Sequence, residues 1–160
     1  MDQIYTADSI IIHPESRQVL LVKRKTGEWA LPGGFIDPGE ESLTAAHREV
    51  MEETGAAISG DPTLVFCGLV DDPRNTQTAW IETSAYLFTV PDTTAITGRD
   101  DAVDAGWHSL DHLPELYASH DEIVTRALDY LACRPLAESV QNPECLYRCL
   151  LYTSDAADEE

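Results

Sequence analysis

Three glutamates lie close together in the segment 48–53, at the spacing of one helix face. Glu49, Glu52 and Glu53 stand at positions i, i+3 and i+4, which an α-helix brings within about a third of its circumference. Carboxylate oxygens are ligands that suit Mg²⁺, and a bound divalent cation relieves the repulsion between neighbouring carboxylates. From the spacing alone, an ordinary solvated acidic face is the more common explanation. The surrounding sequence must therefore decide between a metal site and a solvated surface.

The elements around these glutamates place them beside a Gly- and Pro-rich loop. Residues 4–13 and 18–23 are β-rich runs separated by turn residues, which predicts a hairpin. The segment 27–40, GEWALPGGFIDPGE, predicts a short strand and a shaped loop. A helix follows, with Ser42 as its predicted N-cap and Gly55 as the left-handed residue that ends it.

The rest of the chain predicts more strands and a second helix. Residues 62–70 and 79–90 are rich in β-branched and aromatic residues and are joined by the polar loop DDPRNTQT, so they should pair antiparallel. A short strand is expected around Trp107, followed by an amphipathic helix over 121–131. The order of elements predicts an α/β fold in which two helices cover the sheets.

Charge and hydropathy argue against several classes of function. The 160-residue chain has 29 Asp and Glu against 10 Lys and Arg, a formal net charge of -19, which disfavours nucleic acid as a partner. A phosphate-bearing substrate would need a metal ion to offset this charge. No segment reaches the roughly 18 consecutive apolar residues of a membrane span, and the N-terminus lacks the layout of a signal peptide. A cytoplasmic protein with no membrane partner is expected.

The residues flanking the glutamates resemble the Nudix box. Gly34 is followed at fixed spacing by Glu40 and then by the run REVMEETG over 48–55. Members of the Nudix family hold Mg²⁺ or Mn²⁺ on a loop-helix-loop and hydrolyse a nucleoside diphosphate linked to a further group. The resemblance implies the Nudix α/β/α sandwich, with a mixed sheet and a smaller antiparallel sheet between helices.

By this resemblance, Glu49, Glu52 and Glu53 are catalytic, metal-binding carboxylates, and Gly34 is the position whose backbone carbonyl helps to bind the metal. One of the glutamates would take the proton of the attacking water, and the sequence does not say which.

Three further positions are implied by the same resemblance. Arg48 and Glu40 match a pair that orients the catalytic helix, for which a surface salt bridge is the alternative. Asp101, six residues before Trp107, matches a late acidic position that binds metal or acts as a base in parts of the family. An ordinary loop acid is the alternative for Asp101.

Two segments outside the box resemble the ADP-ribose pyrophosphatase branch, which also includes the ADP-ribose-sensing domain fused to a cation channel. They are GLVDDPRNTQTAWIET and LPELYASH. By that likeness Asp72 and Arg74 line the substrate cleft, and Tyr117 and His120 contact substrate at its far end. A guanidinium suits phosphate or ribose oxygens. Without the resemblance, DPRN is a turn sequence, and Tyr117 and His120 belong to a helix entrance.

The expected activity is Mg²⁺-dependent hydrolysis of ADP-ribose to AMP and ribose 5-phosphate. A nucleoside triphosphate, dinucleotide or nucleotide-sugar pyrophosphatase is an alternative, because the box sets the chemistry and the flanking loops set the substrate. A non-catalytic ADP-ribose sensor is a second alternative, but the intact REVMEE run favours catalysis. A homodimer is compatible with the sequence, which does not specify the oligomeric state.

Residues 1–136 fit one domain of this family. Residues 137–148 are assigned to a C-terminal extension. Residues 149–160, CLLYTSDAADEE, resemble a translated reading frame of a sequencing-library adapter and are expected not to be native. A polar, acidic native tail is the alternative.

Overall fold

The computed structural model describes residues 2–91 and 102–138. Asp101 and the segment 149–160 lie outside these ranges, and the proposed domain boundaries stay predictions. Within the described ranges no helix has the length and apolar character needed to cross a membrane. The elements in chain order are β1 (Asp2–His13), β2 (Gln18–Arg24), β3 (Trp29–Ala30), β4 (Gly33–Phe35), α1 (Ser42–Thr54), β5 (Thr63–Leu69), β6 (Ala79–Thr89), β7 (Ala102–Ser109) and α2 (His120–Glu138).

The strands join in one hydrogen-bonded sheet with β1 at its centre. The path β3-β2-β1-β6-β5 runs across the sheet, while β4 pairs with β1 and β7 pairs with β2. β1 is parallel to β6 from Asp2↔Ala79 to Ile12↔Thr89, and the other pairings are antiparallel. The mixed part and the smaller antiparallel part of the predicted fold are thus both present, and β1 connects them.

The two helices cover opposite faces of the sheet. Ile10 and Ile12 of β1 pack in one apolar cluster with residues of α2, among them Ile123. Ile11 points to the other face, where it packs with Val50 of α1. Each fully buried aliphatic side chain contributes about 1.5–3 kcal/mol. The packing confirms the predicted α/β/α sandwich.

Most local predictions are confirmed, with one correction. The hairpin closes at His13↔Gln18, and Gly55 ends α1 in the left-handed region with φ 70. The predicted N-cap at Ser42 is wrong by one residue. Glu41 occupies the cap position, without a side-chain cap hydrogen bond. The Ser42 hydroxyl instead lies 2.5 Å from the hydroxyl of Tyr86 on β6.

Candidate active site

A cleft of about 470 Å³ lies between α1, the edge of the sheet and the start of α2. Its volume is within the usual range of ligand sites. It brings together residues from both sets of sequence motifs, namely Gly34, Glu49, Glu53, Asp72, Arg74, Tyr117 and His120. Glu40, Arg48 and Glu52 lie beside the cleft, where Arg48 pairs with Glu40, Glu49 and Glu52.

Two glycines of β4 let the carboxylates of α1 lie directly against the backbone. A Cβ at Gly34 would come within 2.5–2.8 Å of the Glu49 carboxylate, so this carboxylate would have to move away. The backbone N–H of Gly33 donates to Oε2 of Glu53 at 3.3 Å. Pairing of β4 with β1 fixes both glycines, with Asp8↔Gly33 in register. The Gly-Gly pair therefore forms a cradle for carboxylates that any larger residue would fill.

Arg48 ties the loop before α1 to the acidic face of the helix. Its Nε and Nη2 donate to the two oxygens of Glu40 at 2.8 and 2.9 Å. Nη1 donates to Glu49 at 2.9 Å and to Glu52 at 3.2 Å. Hydrogen bonds from Arg48 and from the backbone of Asp37 lower the pKa of Glu40 to about 2. Glu40 is therefore an anion at neutral pH, and it holds Arg48 in place.

Burial differs among the three glutamates of the face. The side chain of Glu52 is 41% exposed, and that of Glu49 only 14%. Glu53 is also buried. Burial raises the pKa of Glu49 above its ordinary value, although Arg48 opposes the shift. Since the charged form of Glu49 is disfavoured by desolvation, a cation close to it would be stabilising.

The donor set fits a hard divalent cation. Oxygen ligands on one helix face and a backbone cradle that admits no Cβ suit Mg²⁺ or Mn²⁺. Within residues 2–91 and 102–138, no group of three or more Asp, Glu, His or Cys side chains is already arranged to bind a metal ion. Arg48 draws Glu49 and Glu52 towards itself. Each of these two carboxylates gives one oxygen to Arg48 and has a second oxygen that could bind a cation.

Asp72 anchors the other end of the cleft. It is 5% exposed, and its Oδ1 accepts the backbone N–H and Nε–H of Arg74 at 2.8 and 2.9 Å. Its Oδ2 accepts Nη2–H at 2.8 Å, and the Tyr117 hydroxyl donates to Oδ1 at 3.1 Å. Burial raises the pKa of Asp72, but the hydrogen bonds from Arg74 outweigh burial and leave the pKa below its usual value.

His120 lies against a buried carboxylate at the base of the cleft. Its Nδ1 accepts the backbone N–H of Leu31 at 2.9 Å, so the proton of the neutral ring is assigned to Nε2. Nε2 is 3.9 Å from Oδ1 of Asp8, and Oδ2 of Asp8 accepts the Thr83 hydroxyl at 2.5 Å. Burial lowers the pKa of His120, which keeps the ring neutral at pH 7.

The family follows from comparison with known proteins. A model of the NUDIX domain matches residues 5–128.

The chain belongs to the Nudix family.

A mitochondrial ADP-ribose pyrophosphatase from Rattus norvegicus is 34% identical over 142 residues, which cover 71% of this chain and 41% of the relative. The chain thus spans about two fifths of that relative's length. A MutT/nudix family protein from Enterococcus faecalis has a TM-score of 0.70 and 26% identity, over 82% of this chain and 63% of that one. A bifunctional NMN adenylyltransferase/ADP ribose pyrophosphatase from Francisella tularensis, complexed with AMP and a manganese ion, has a TM-score of 0.65 and 25% identity, over 80% and 42%.

Residues that the motifs do not name also line this Nudix cleft. Asp8 is buried at its base, and the segment 23–25 (Lys-Arg-Lys) lies along its side. A basic triplet in a chain of net charge -19 indicates a surface that can bind anions. A lone Asp just before the apolar run Ile10–Ile12 of β1 is a weaker indication. Neither Asp8 nor the triplet 23–25 was predicted as part of the site, because both lie before the box and outside the two flanking motifs.

Proposed function

We propose that this chain is a Mg²⁺- or Mn²⁺-dependent Nudix diphosphatase that hydrolyses ADP-ribose to AMP and ribose 5-phosphate. One observation carries the proposal: a single cleft joins the carboxylates of α1 to the cluster of Asp72, Arg74 and Tyr117. A diphosphate at the first end can therefore extend its nucleoside or its sugar to the second. The relative from Rattus norvegicus that is named an ADP-ribose pyrophosphatase supports the substrate.

The carboxylate end supplies the hydrolytic chemistry. A divalent cation held by Glu49, Glu52, Glu53 and the Gly34 carbonyl would neutralise the diphosphate and make a bound water more acidic. The oxygen of a water would attack one phosphorus, the bridging oxygen would leave with the other phosphate, and a glutamate of α1 would take one proton of that water. Arg48 keeps the helix face oriented through Glu40. The manganese ion in the Francisella tularensis relative supports a divalent cation here.

The other end supplies substrate recognition. Asp72 fixes the backbone and the side chain of Arg74, and it also fixes the hydroxyl of Tyr117. The cleft there therefore has a defined shape before any ligand arrives, which lowers the cost of binding. Neutral His120 offers an Nε2–H donor next to the Asp8 acceptor. These groups suit the hydroxyls and oxygens of a ribose phosphate.

The proposal is tested by incubating the chain with ADP-ribose, other nucleoside diphosphate sugars and nucleoside triphosphates, in Mg²⁺, Mn²⁺ or EDTA. Products are identified by mass. We expect metal-dependent AMP and ribose 5-phosphate, formed fastest from ADP-ribose. Faster hydrolysis of another nucleotide would overturn the substrate and keep the chemistry. If ADP-ribose raises the melting temperature but is not hydrolysed, the chain is an ADP-ribose sensor and not an enzyme.

A further inference from the structure

Arg24, the last residue of β2, stands out among the charged residues of the cleft. It lines the cleft, and its Cζ lies 3.7 Å from the centroid of the Tyr117 ring. Within residues 2–91 and 102–138, its guanidinium has no side-chain hydrogen bond and no ion pair within 4 Å, and its acidic neighbour is Glu28, whose pKa it helps to lower. Cation-π stacking is thus the contact that orients it.

The backbone at Arg24 is fixed by the hairpin between β2 and β3. Its N–H donates to the Glu28 carbonyl at 2.8 Å, and its carbonyl accepts the Gly27 N–H at 2.9 Å. The pairing of β2 with β7 shifts register between Lys23 and Arg24. Such a bulge redirects a side chain at the end of a strand. Arg24 therefore projects into the cleft from a defined position.

Arg24 and Arg74 differ in how many of their guanidinium N–H groups are hydrogen-bonded to neighbouring side chains. Arg74 donates Nε–H and Nη2–H to Asp72. The five N–H donors of Arg24 have no hydrogen bond to a side chain of the described residues, and Glu28 interacts with the guanidinium only electrostatically. The cation-π contact with Tyr117 depends on the charge of the guanidinium and uses none of its N–H donors as conventional hydrogen bonds. An open guanidinium edge is the group that best matches paired phosphate oxygens.

We propose that Arg24 binds the phosphate oxygens of the nucleotide substrate, with Tyr117 as the residue that positions it. The inference deepens the proposed function and rests on it for the identity of the nucleotide. The triplet 23–25 provides the positive wall that a phosphate chain needs in a chain of net charge -19. Arg24 is then the substrate-binding cation, and Arg74 chiefly shapes the cleft around Asp72.

Binding of AMP and of adenosine separates a phosphate contact from a base contact. Both are measured by calorimetry in Mg²⁺, because neither contains a diphosphate to be hydrolysed. We expect R24A to weaken AMP binding by roughly ten- to a hundredfold, the loss that follows removal of a charged hydrogen-bond donor. Adenosine binding should stay unchanged, and R24K should restore part of the AMP affinity. R17A is the matched control, because Arg17 is exposed and pairs with Asp111 outside the cleft.

Kinetics on ADP-ribose gives a second measurement. R24A should raise KM by a similar factor and change kcat much less, because the contact forms in the bound substrate as well as in the transition state. Equal AMP affinity in R24A and the unmodified chain would overturn the proposal. Equal losses for adenosine and AMP would assign Arg24 to the base instead.

The two proposals fail in different ways. Hydrolysis of ADP-ribose that R24A leaves unaltered removes the role of Arg24 and keeps the proposed function. AMP binding that R24A weakens, in a chain that hydrolyses no nucleotide, removes the proposed function and keeps the phosphate contact. A chain that neither binds AMP nor hydrolyses ADP-ribose overturns both.

Discussion

The two ends of the cleft have opposite charge balances. At the α1 end, Arg48 is shared by four carboxylates, those of Asp37, Glu40, Glu49 and Glu52. At the other end, Asp72 is saturated by Arg74 and Tyr117, and Arg24 adds a cation with open donors. At the α1 end the carboxylates outnumber the single guanidinium of Arg48, whereas at the other end two guanidinium groups accompany Asp72. A metal ion at one end and a phosphate chain at the other would correct both imbalances.

The difference also separates chemistry from recognition. A change at the carboxylate end should lower turnover, because it disturbs groups that act on the reacting phosphorus. A change at the Asp72 end should weaken substrate binding and alter substrate preference. Substitutions at each end of the cleft test this division between turnover and substrate binding.

The largest effect is expected for Glu53→Gln. Glu53 is buried beside Gly33 on the acidic face, and loss of its charge removes metal or general-base help. Turnover should fall by about a hundredfold or more, measured as kcat on ADP-ribose. The exposed Glu15, in the turn after β1, provides the matched Glu15→Gln control. Near-normal turnover in Glu53→Gln would remove Glu53 from the chemistry.

Gly34→Ala should have the next largest effect. Its new Cβ would lie 2.5 Å from Oε1 of Glu49, so that carboxylate must move. We expect kcat to fall roughly tenfold, with a higher Mg²⁺ concentration for half-maximal rate. Gly68→Ala is the control, since its Cβ would meet Phe66 at an ordinary 3.5 Å. Equal metal dependence in the two variants would contradict the cradle.

Arg74→Ala should change specificity more than turnover. In Arg74→Ala, Asp72 loses its two hydrogen bonds from the guanidinium, keeps the one from the backbone N–H of residue 74, and no longer fixes a side chain at that end of the cleft. The KM for ADP-ribose should rise about tenfold, the effect of one or two lost hydrogen bonds, and the KM for nucleoside triphosphates should rise less. Arg126→Ala, on α2 and outside the cleft, is the control. Equal rises for both substrate classes would remove the ADP-ribose assignment of this end.

Glu40→Gln should have the smallest effect, on acid stability. The folded pKa of Glu40 is about 2, below the ordinary 4.5. The Arg48 pair therefore stabilises the fold above about pH 4.5, and this contribution is lost as the pH falls towards 2. The melting temperature of the unmodified chain should exceed that of Glu40→Gln near neutral pH, with a gap that narrows on acidification. A gap that is constant across this pH range would contradict the ion pair.

Local patterns predicted the parts of the fold that local forces determine. The hairpin, α1 and its ending at Gly55 follow from periodicity and turn residues. The N-cap at Ser42 was wrong because its hydroxyl pairs with Tyr86, 44 residues away. The continuity of the sheet through β1 was likewise outside the reach of local patterns, because it depends on strand partners distant in sequence.

The candidate site divides in the same way. The spacing of the box already placed Glu49, Glu52 and Glu53 on one face of α1. Arg24 could not be found, because its role depends on Tyr117, which follows it by more than ninety residues. The contact between His120 and Leu31 spans 89 residues. Side chains that gain their function from a distant neighbour carry no local signature.

The pairing of β1 with β6 has a consequence for how the chain folds. Each pair in this register joins residues 77 positions apart, as from Asp2 to Ala79. During synthesis, the parallel hydrogen bonds of β1 can form only after β6 has emerged from the ribosome. Such distant pairing slows folding, because a long loop must close before any contact compensates for it. β1 can therefore pair with β2 and β4 before it pairs with β6. If the pairing with β6 already forms in the transition state, substitutions in β1 should slow refolding more than they speed unfolding.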